Sequence, residues 1–118
     1  MSASVSLHPY FRVHEGKWEE FLALLPRFVE RTSTEEACLY YDFTICGEVV
    51  CCREAYVGAE GVLTHLENVG KLIEEAIEIA DLFRLEVHGP AEELEKLKEP
   101  LAELSVEPFV WECGVERS

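Results

Sequence analysis

The sequence predicts an α+β domain of the ferredoxin-like type, an antiparallel sheet with helices on one face. Segments of alternating polar and apolar residues, typical of half-buried strands, are separated by segments with the three-and-four spacing of amphipathic helices. Their order is β-α-β-β-α-α-β-α-β, which contains the split βαββαβ arrangement and one additional helix. With 118 residues, the chain is expected to form one domain, residues 1–118, around one core.

The first two elements are a strand and a long helix. Residues 4–13 alternate, and Pro9 marks an edge position or a bulge because it has no N–H to donate. The helix that begins near Gly16 carries Trp18 at the start of its apolar stripe. Pro26 lies in its interior, where we expect a kink.

A hairpin and two helices are predicted next. Residues 37–46 and 49–56 alternate, and Gly47 supplies the positive φ that a tight turn between them needs. Residues 59–68 have the pattern of a short helix, with Gly70 as a left-handed cap. A second amphipathic helix follows directly.

The last third of the chain predicts strand, helix and strand. Residues 82–88 alternate, and Pro90 then begins a helix with glutamates in its first turn and lysines in its last. Pro100 ends or kinks this helix. Residues 106–115 are the predicted final strand.

Composition and charge exclude several classes of partner. The formal net charge of −14 repels phosphate backbones and anionic lipid surfaces, so we expect neither nucleic-acid nor membrane binding. No stretch approaches the roughly 20 apolar residues of a membrane span, and the N-terminus lacks a secretion signal. Five cysteines without a CxxC pair indicate a reducing, cytoplasmic location.

Helices on one face of the sheet leave the other face uncovered. That face is expected to expose Tyr10, Tyr40 and Trp111, or else the adjacent residues, which point to the opposite face of their strands. An apolar face of this size is typical of an interface, so the sequence predicts a homodimer that packs sheet on sheet. Each subunit would then retain a dry chamber for a small hydrophobic or aromatic ligand.

The candidate catalytic residues follow the second hairpin strand. Tyr56 ends this strand, and His65 lies nine positions later on a short helix. His65 is a candidate proton acceptor, and Tyr56 a candidate for holding a substrate oxygen. Tyr41 and Phe43 share one strand face, and with Trp18 they are the candidate substrate-binding residues. Each has a structural alternative: His65 fixes its helix by a hydrogen bond, and the aromatic residues pack in the core.

The sequence offers only a weak candidate for a metal site. His8 and His88 share a sheet face with Asp42 and Glu86 by parity, but their spacing matches no ligand motif. We therefore predict no metal, and expect these polar residues either to form contacts in the dimer or to line a cavity inside the barrel.

Four segments together resemble the antibiotic biosynthesis monooxygenase family of dimeric α+β barrels. They are Gly16–Phe21, Glu36–Tyr41, Arg53–Tyr56 with His65 and Leu66, and Leu85–Ala91 with Pro100 and Leu101. The similarity spans nearly the whole chain. Relatives often have tryptophan where this chain has Tyr56. Haem-degrading relatives have an asparagine near the position of Pro9, and this chain has no asparagine there.

The resemblance implies a cofactor-independent monooxygenase or quinol oxidase that acts as a dimer on a small aromatic or quinol substrate. The family pocket lies between the helices and the sheet, and His65 would be its base or orienting group. Two alternatives stay open: a non-enzymatic ligand-binding module of the same fold, and a haem-binding relative with His65 on the iron. The sequence identifies neither the substrate nor whether turnover occurs.

Overall fold

The computed structural model describes residues 3–117, which fold into one sheet with helices on one side; residues 1, 2 and 118 of the predicted domain lie outside the described residues. The strands are β1 (Ser4–Val13), β2 (Cys38–Cys46), β3 (Val49–Val57), β4 (Ala80–Gly89) and β5 (Val106–Val110). The helices are α1 (Trp18–Thr32), α2 (Gly58–Asn68), α3 (Gly70–Ile79) and α4 (Ala91–Lys98). The predicted order of elements is confirmed.

The strand order in the sheet is β2-β3-β1-β4-β5. β1, β2, β3 and β4 pair with one another in antiparallel orientation and form the predicted ferredoxin-like arrangement. β5 differs from the predicted antiparallel sheet because it pairs in parallel with β4. α4 is the crossover that a parallel pair requires, so the sheet is mixed. β5 also ends at Val110, five residues before the predicted end.

Three local predictions have different outcomes. β1 lies in the middle of the sheet, so the edge position suggested by Pro9 is wrong; the bulge is confirmed by a register shift between Tyr10 and Phe11. Gly47, with φ +61°, makes the hairpin turn as predicted. Gly70 begins α3 and is not left-handed, because α2 and α3 are almost continuous.

Two groups of buried side chains form the core on the helix side of the sheet. The first lies beneath α2 and α4 and includes Val5, Leu7, Tyr56, Val62, Val87 and Leu97. The second lies beneath α1 and α3 and includes Phe21, Leu24, Phe28, Val50, Leu72 and Ala76. In the described part of the chain, no helix combines the length and the apolar character needed to cross a bilayer.

Candidate functional site

A histidine held between two carboxylates lies inside the core. The His65 side chain on α2 is 3% exposed, and those of Glu35 and Glu54 are each 5% exposed. Nδ1 of His65 lies 3.0 Å from Oε2 of Glu35, and Nε2 lies 3.4 Å from Oε1 of Glu54. A carboxylate accepts a hydrogen bond but does not donate one, and a neutral imidazole has only one N–H. Both contacts are therefore favourable only when the three side chains together hold one more proton, on the imidazole or on a carboxyl.

The path of the chain explains why His65 reaches β3. β3 continues into α2 without a loop, through Gly58, whose φ of +73° only glycine adopts readily. A Cβ at Gly61 would lie 3.0 Å from the Cβ atoms of Ala37 and Tyr56, so the absent side chain lets α2 pack directly on the strand. Seven residues along α2, about two turns, then bring His65 over the same strand.

Glu54 is the most constrained member of this cluster. The hydroxyl of Tyr56 donates a hydrogen bond of 2.5 Å to Oε1 of Glu54. Burial raises the pKa of the Glu54 carboxyl, and the His65 imidazole and the Tyr56 hydrogen bond act against this effect. Burial and the nearby Glu54 charge raise the pKa of Tyr56, so its hydroxyl remains a donor. The Glu54 carboxyl therefore holds a proton more readily than an exposed glutamate does.

Glu35 connects the cluster to the surface. The Asn68 side-chain amide donates to Oε2 of Glu35 at 2.7 Å and to the Arg31 carbonyl oxygen at 2.9 Å. The Arg31 guanidinium in turn donates to the Asn68 carbonyl oxygen at 2.9 Å. These bonds join the C-terminal ends of α1 and α2 and fix the carboxylate that faces Nδ1 of His65. We name the set Glu35, His65, Glu54 and Tyr56 the acid–base cluster.

Aromatic rings surround the imidazole. The ring centres of Tyr56 and Tyr41 lie 5.0 and 5.1 Å from that of His65. Phe43 packs edge-on against Tyr41 at 5.4 Å. Burial raises the pKa of Tyr41 above its ordinary value, so it too stays protonated at neutral pH. Four of the predicted site residues therefore meet in one place: His65, Tyr56, Tyr41 and Phe43.

Trp18 lies elsewhere. Trp18 is the first residue of α1, and it is the last turn of that helix that approaches the acid–base cluster. About 21 Å of helix therefore separates Trp18 from the cluster. Trp18 packs at the edge of the second core group and lines a surface cleft with His14 and Gly47. The structure does not bring Trp18 to the other predicted substrate-binding residues, because the helix runs along the sheet and away from its own start.

Sequence reasoning missed both carboxylates. Glu54 has a detectable signal, because it shares strand parity with Val50, Cys52 and Tyr56, three residues buried on the core face. A carboxylate at such a position is costly unless it is paired, which marks it as unusual. Glu35 lies in the loop before β2 and has no pattern that predicts its burial.

An apolar cleft of about 430 Å³ lies between α4 and the strands β4 and β5. We name it the α4 cleft. Its walls include Val87, Leu94, Leu97, Leu101, Val106 and Pro108, with Glu95 and Lys98 at the rim. His65 does not line this cleft or the two others described. Among the described residues, no group of three or more His, Cys, Asp or Glu side chains is arranged to hold a metal ion.

Comparisons with solved structures give a clear relative. MupZ from Pseudomonas fluorescens is 42% identical to this chain, with a TM-score of 0.93; the match covers 98% of this chain and 96% of MupZ. No family model matches the chain, and no curated protein matches it.

More distant structures share the fold. A conserved protein of unknown function from Bacteroides thetaiotaomicron, described as a possible oxidoreductase, is 21% identical, with a TM-score of 0.67; the match covers 74% of this chain and 97% of that protein. A proposed antibiotic biosynthesis monooxygenase from Nitrosomonas europaea is 14% identical, with a TM-score of 0.68 and coverage of 77% and 93%.

Proposed function

We propose a function for this chain from one premise: it belongs to the same family as MupZ, and its fold is that of the antibiotic biosynthesis monooxygenases. The proposed function is that of a cofactor-independent monooxygenase or quinol oxidase acting on a small aromatic or quinol substrate. The naming of two fold neighbours as a proposed monooxygenase and a possible oxidoreductase supports this class of chemistry.

One observation carries the proposal. His65 and Tyr56 both contact the same oxygen of Glu54, at 3.4 and 2.5 Å, in the buried core. Oxygenation without a cofactor requires a substrate that is itself electron-rich, and removing the proton of a phenol produces one. A dry site with a hydrogen-bonded proton acceptor supplies that step.

In the proposed reaction the substrate hydroxyl gives its proton to the Glu54–His65 pair, and the resulting phenolate transfers an electron to dioxygen. A quinol would lose two electrons and two protons in all, leaving a quinone and hydrogen peroxide. In the monooxygenase reaction of a phenol, one oxygen atom becomes the second carbonyl of the quinone and the other leaves as water. Dioxygen is the oxidant in both reactions, so no organic cofactor or metal is needed.

The roles within the site follow from position. His65 accepts the substrate proton or orients Glu54. Tyr56 donates a hydrogen bond that stabilises the negative charge on the Glu54 oxygen. Tyr41 and Phe43 form the aromatic wall. Trp18 has no role in this proposal, because it lies at the far end of α1.

A second candidate is a non-enzymatic module that binds a small hydrophobic ligand. It is favoured by the closed packing around His65 and by an apolar cleft whose lining includes none of the acid–base cluster. Haem binding through His65 has less support, since both ring nitrogens already face carboxylates.

The proposal includes a homodimer that works in the reducing cytoplasm, where its five free cysteines would stay reduced. The open sheet face carries Phe83 and Phe109, which are 45% and 41% exposed, close to Tyr10 and His88. We expect light scattering to give twice the chain mass of 13.4 kDa. A monomer at micromolar concentration would contradict this interface.

Oxygen uptake in the presence of a quinol tests the function. Glu54→Gln keeps the shape of the side chain and removes its charge, so we expect uptake to fall by roughly 100-fold or more, the range for loss of a general base. His65→Ala should abolish it. Glu36→Gln, at an exposed neighbouring glutamate, is the matched control and should leave uptake unchanged.

Two results would count against the enzyme. Unchanged uptake in Glu54→Gln and His65→Ala would refute the role of the acid–base cluster. If the wild-type protein binds quinols but consumes no oxygen with any of them, the binding module is the better description.

A further inference from the structure

We propose that Glu35, held in place by Asn68, is a positioning residue that keeps a proton on Nδ1 of His65, so that the mobile proton of the acid–base cluster lies between Nε2 and Glu54. The consequence for turnover rests on the proposed function. The location of the ring proton does not, because it follows from the contacts of His65 and its partners.

The two carboxylates do not contact the imidazole equally. Nδ1 of His65 lies 3.2 Å from Oε1 and 3.0 Å from Oε2 of Glu35. Both distances fall within the range of an N–H···O hydrogen bond, roughly 2.7–3.2 Å. Nε2 lies 3.4 Å from Oε1 of Glu54, which is beyond that range. The ring nitrogen that is better placed to donate is therefore Nδ1.

Glu54 has hydrogen-bond donors other than the imidazole. The Tyr56 hydroxyl donates to Oε1 of Glu54 at 2.5 Å, and the Cys52 side chain is a second partner of the same carboxyl. Burial also raises the pKa of Glu54, so this carboxyl is able to carry the extra proton itself. A proton on Glu54 that points to Nε2 needs that nitrogen as its acceptor, and the ring then has its own proton on Nδ1.

The Asn68 amide fixes the Glu35 carboxylate in this position. Nδ2 of Asn68 donates to Oε2 of Glu35 at 2.7 Å and to the Arg31 carbonyl oxygen at 2.9 Å. Both partners are acceptors, so only one orientation of the amide is favourable, with its NH₂ group toward Glu35. Glu35 itself lies in the loop before β2. The amide thus supplies a constraint on the carboxylate that orients the imidazole, as such outer partners commonly do.

A fixed proton on Nδ1 gives the imidazole one active side. Nε2 and Glu54 then share the proton taken from the substrate, while Nδ1 keeps its own. In the proposed oxidation of a quinol, the two protons that the quinol loses are the two that hydrogen peroxide gains. A proton held between Nε2 and Glu54 is therefore returned to the reduced oxygen. Glu35 acts through His65 and does not touch the substrate.

Nuclear magnetic resonance locates the ring proton without turnover. In protein made with isotope-labelled histidine, the nitrogen chemical shifts distinguish a protonated from an unprotonated ring nitrogen. Of the four histidines, His65 is identified by the signals that disappear in His65→Ala. We expect Nδ1 of His65 to be protonated in the wild type. In Glu35→Leu, which removes the acceptor for Nδ1–H, we expect the proton of the neutral ring on Nε2, facing Glu54.

Glu35→Gln separates positioning from charge. Asn68 donates at the position of Oε2, so the new amide should place its oxygen there and accept from both Asn68 and Nδ1 of His65. We therefore expect this variant to keep the proton on Nδ1. Loss of that proton in Glu35→Gln would contradict a role in which an acceptor at this position is sufficient.

Glu93→Leu is the matched control for Glu35→Leu. Oε1 of Glu93 accepts a hydrogen bond of 2.8 Å from the Ala59 N–H in the first turn of α2, so this glutamate also contacts α2, at the end opposite to Glu35. Its replacement should leave the ring proton of His65 on Nδ1. A shift of the proton in Glu93→Leu as well would show that any loosening of α2 has this effect, and would overturn the proposal.

A reciprocal exchange tests Asn68 and protects the experiment against misfolding. Asn68→Asp keeps the shape of the side chain but puts an oxygen where Nδ2 donates to Glu35, so we expect it to displace the carboxylate and move the ring proton to Nε2. Adding Glu35→Gln restores a donor opposite the new oxygen and leaves an amide oxygen facing Nδ1. The double variant should therefore have the proton on Nδ1 again.

Quinol-dependent oxygen uptake measures the consequence for turnover. We expect kcat to fall at least tenfold in Glu35→Leu and in Asn68→Asp, the range for loss of a group that orients an imidazole. KM should stay within twofold of the wild type, because neither residue touches the substrate. Glu35→Gln, Glu93→Leu and the double variant should each have a kcat within threefold of the wild type.

The proposal and the proposed function fail separately. An unprotonated Nδ1 in the wild type, or a ring proton that stays on Nδ1 in both Glu35→Leu and Asn68→Asp, would overturn the positioning role whatever the uptake. If the ring proton moves as expected but the wild type consumes no oxygen with any quinol, the positioning role stands and the enzyme is refuted.

Discussion

Tyr56→Phe is the most direct test of the acid–base cluster, because it removes one oxygen atom and keeps the ring. In the wild type this hydroxyl donates to Glu54 at 2.5 Å, and Tyr56 is 0% exposed. After the substitution, the Glu54 carboxyl keeps the 3.4 Å contact with His65 and its hydrogen bond with the Cys52 side chain, but loses its shortest donor. Water cannot easily replace the lost donor in so buried a position.

The expected loss follows from the type of hydrogen bond. A buried bond to a charged group contributes about 1.5–3 kcal/mol, so we expect the free energy of unfolding to fall by about 2 kcal/mol at neutral pH. For a chain of 118 residues this corresponds to a decrease in Tm of about 8 °C. If the Glu54 carboxyl were neutral, the loss of this hydrogen bond would lower the free energy of unfolding by about half as much.

The loss should grow with pH. Burial raises the folded-state pKa of Glu54, so wild-type stability falls as the pH rises from the unfolded value of about 4.3 through the folded pKa. The Tyr56 hydroxyl favours the ionised carboxylate, and its removal raises that pKa further. The difference between wild type and variant is therefore smallest near pH 4, where Glu54 is protonated in both, and largest above the folded pKa.

Urea denaturation followed by circular dichroism at pH 4, 6 and 8 measures this difference. Tyr40→Phe is the matched control, because Tyr40 is 49% exposed. We expect its free energy of unfolding to change by no more than about 0.5 kcal/mol. Equal stability of Tyr56→Phe and wild type at pH 8 would refute the reasoning, as would a loss that decreases with rising pH.

Two further predictions concern packing. Iodoacetamide at pH 7 should modify the exposed Cys113 well before Cys52, because Cys52 is 1% exposed and burial raises the pKa of its thiol. Peptide mass spectrometry measures the order of modification, and early alkylation of Cys52 would contradict its buried position. Gly61→Ala should lower the free energy of unfolding by about 1–3 kcal/mol, because the new Cβ would lie 3.0 Å from the Cβ of Ala37. Gly70→Ala, with no atom within 4 Å of the new Cβ, should not destabilise the protein in the same urea titration.

Most of the fold was predictable because its elements are strongly periodic. The alternation in β1 and the hairpin, and the stripes of the helices, give the order of elements directly, and the resemblance to the antibiotic biosynthesis monooxygenase family is confirmed at the level of the fold. The end of β5 was not predictable. Alternation continues to residue 115, but the strand ends at Val110, where its pairing with β4 ends.

The site was predictable where a residue's position follows from its own element. His65, Tyr56 and Tyr41 converge because β3, α2 and β2 are neighbours in sequence and in space. Glu35 was not predictable, since its burial depends on where the loop between α1 and β2 crosses the end of α2. The prediction for Trp18 failed for a different reason. Trp18 lies on the face of α1 that packs on the sheet, but it is at the start of the helix, whereas the site lies near the end of the helix.

The acid–base cluster is difficult to explain as a device for stability. Replacing buried ionic groups with apolar side chains of similar volume is often neutral or stabilising, and removing one member of such a set is costly. A strand position between Cys52 and Tyr56 on the core face would ordinarily hold an apolar residue, yet here it holds Glu54. Glu54 would remain an uncompensated charge without His65, and His65 would lose its orientation without Glu35. Such mutual dependence agrees with the proposed proton transfer, because local rules of sequence are most often broken at functional sites.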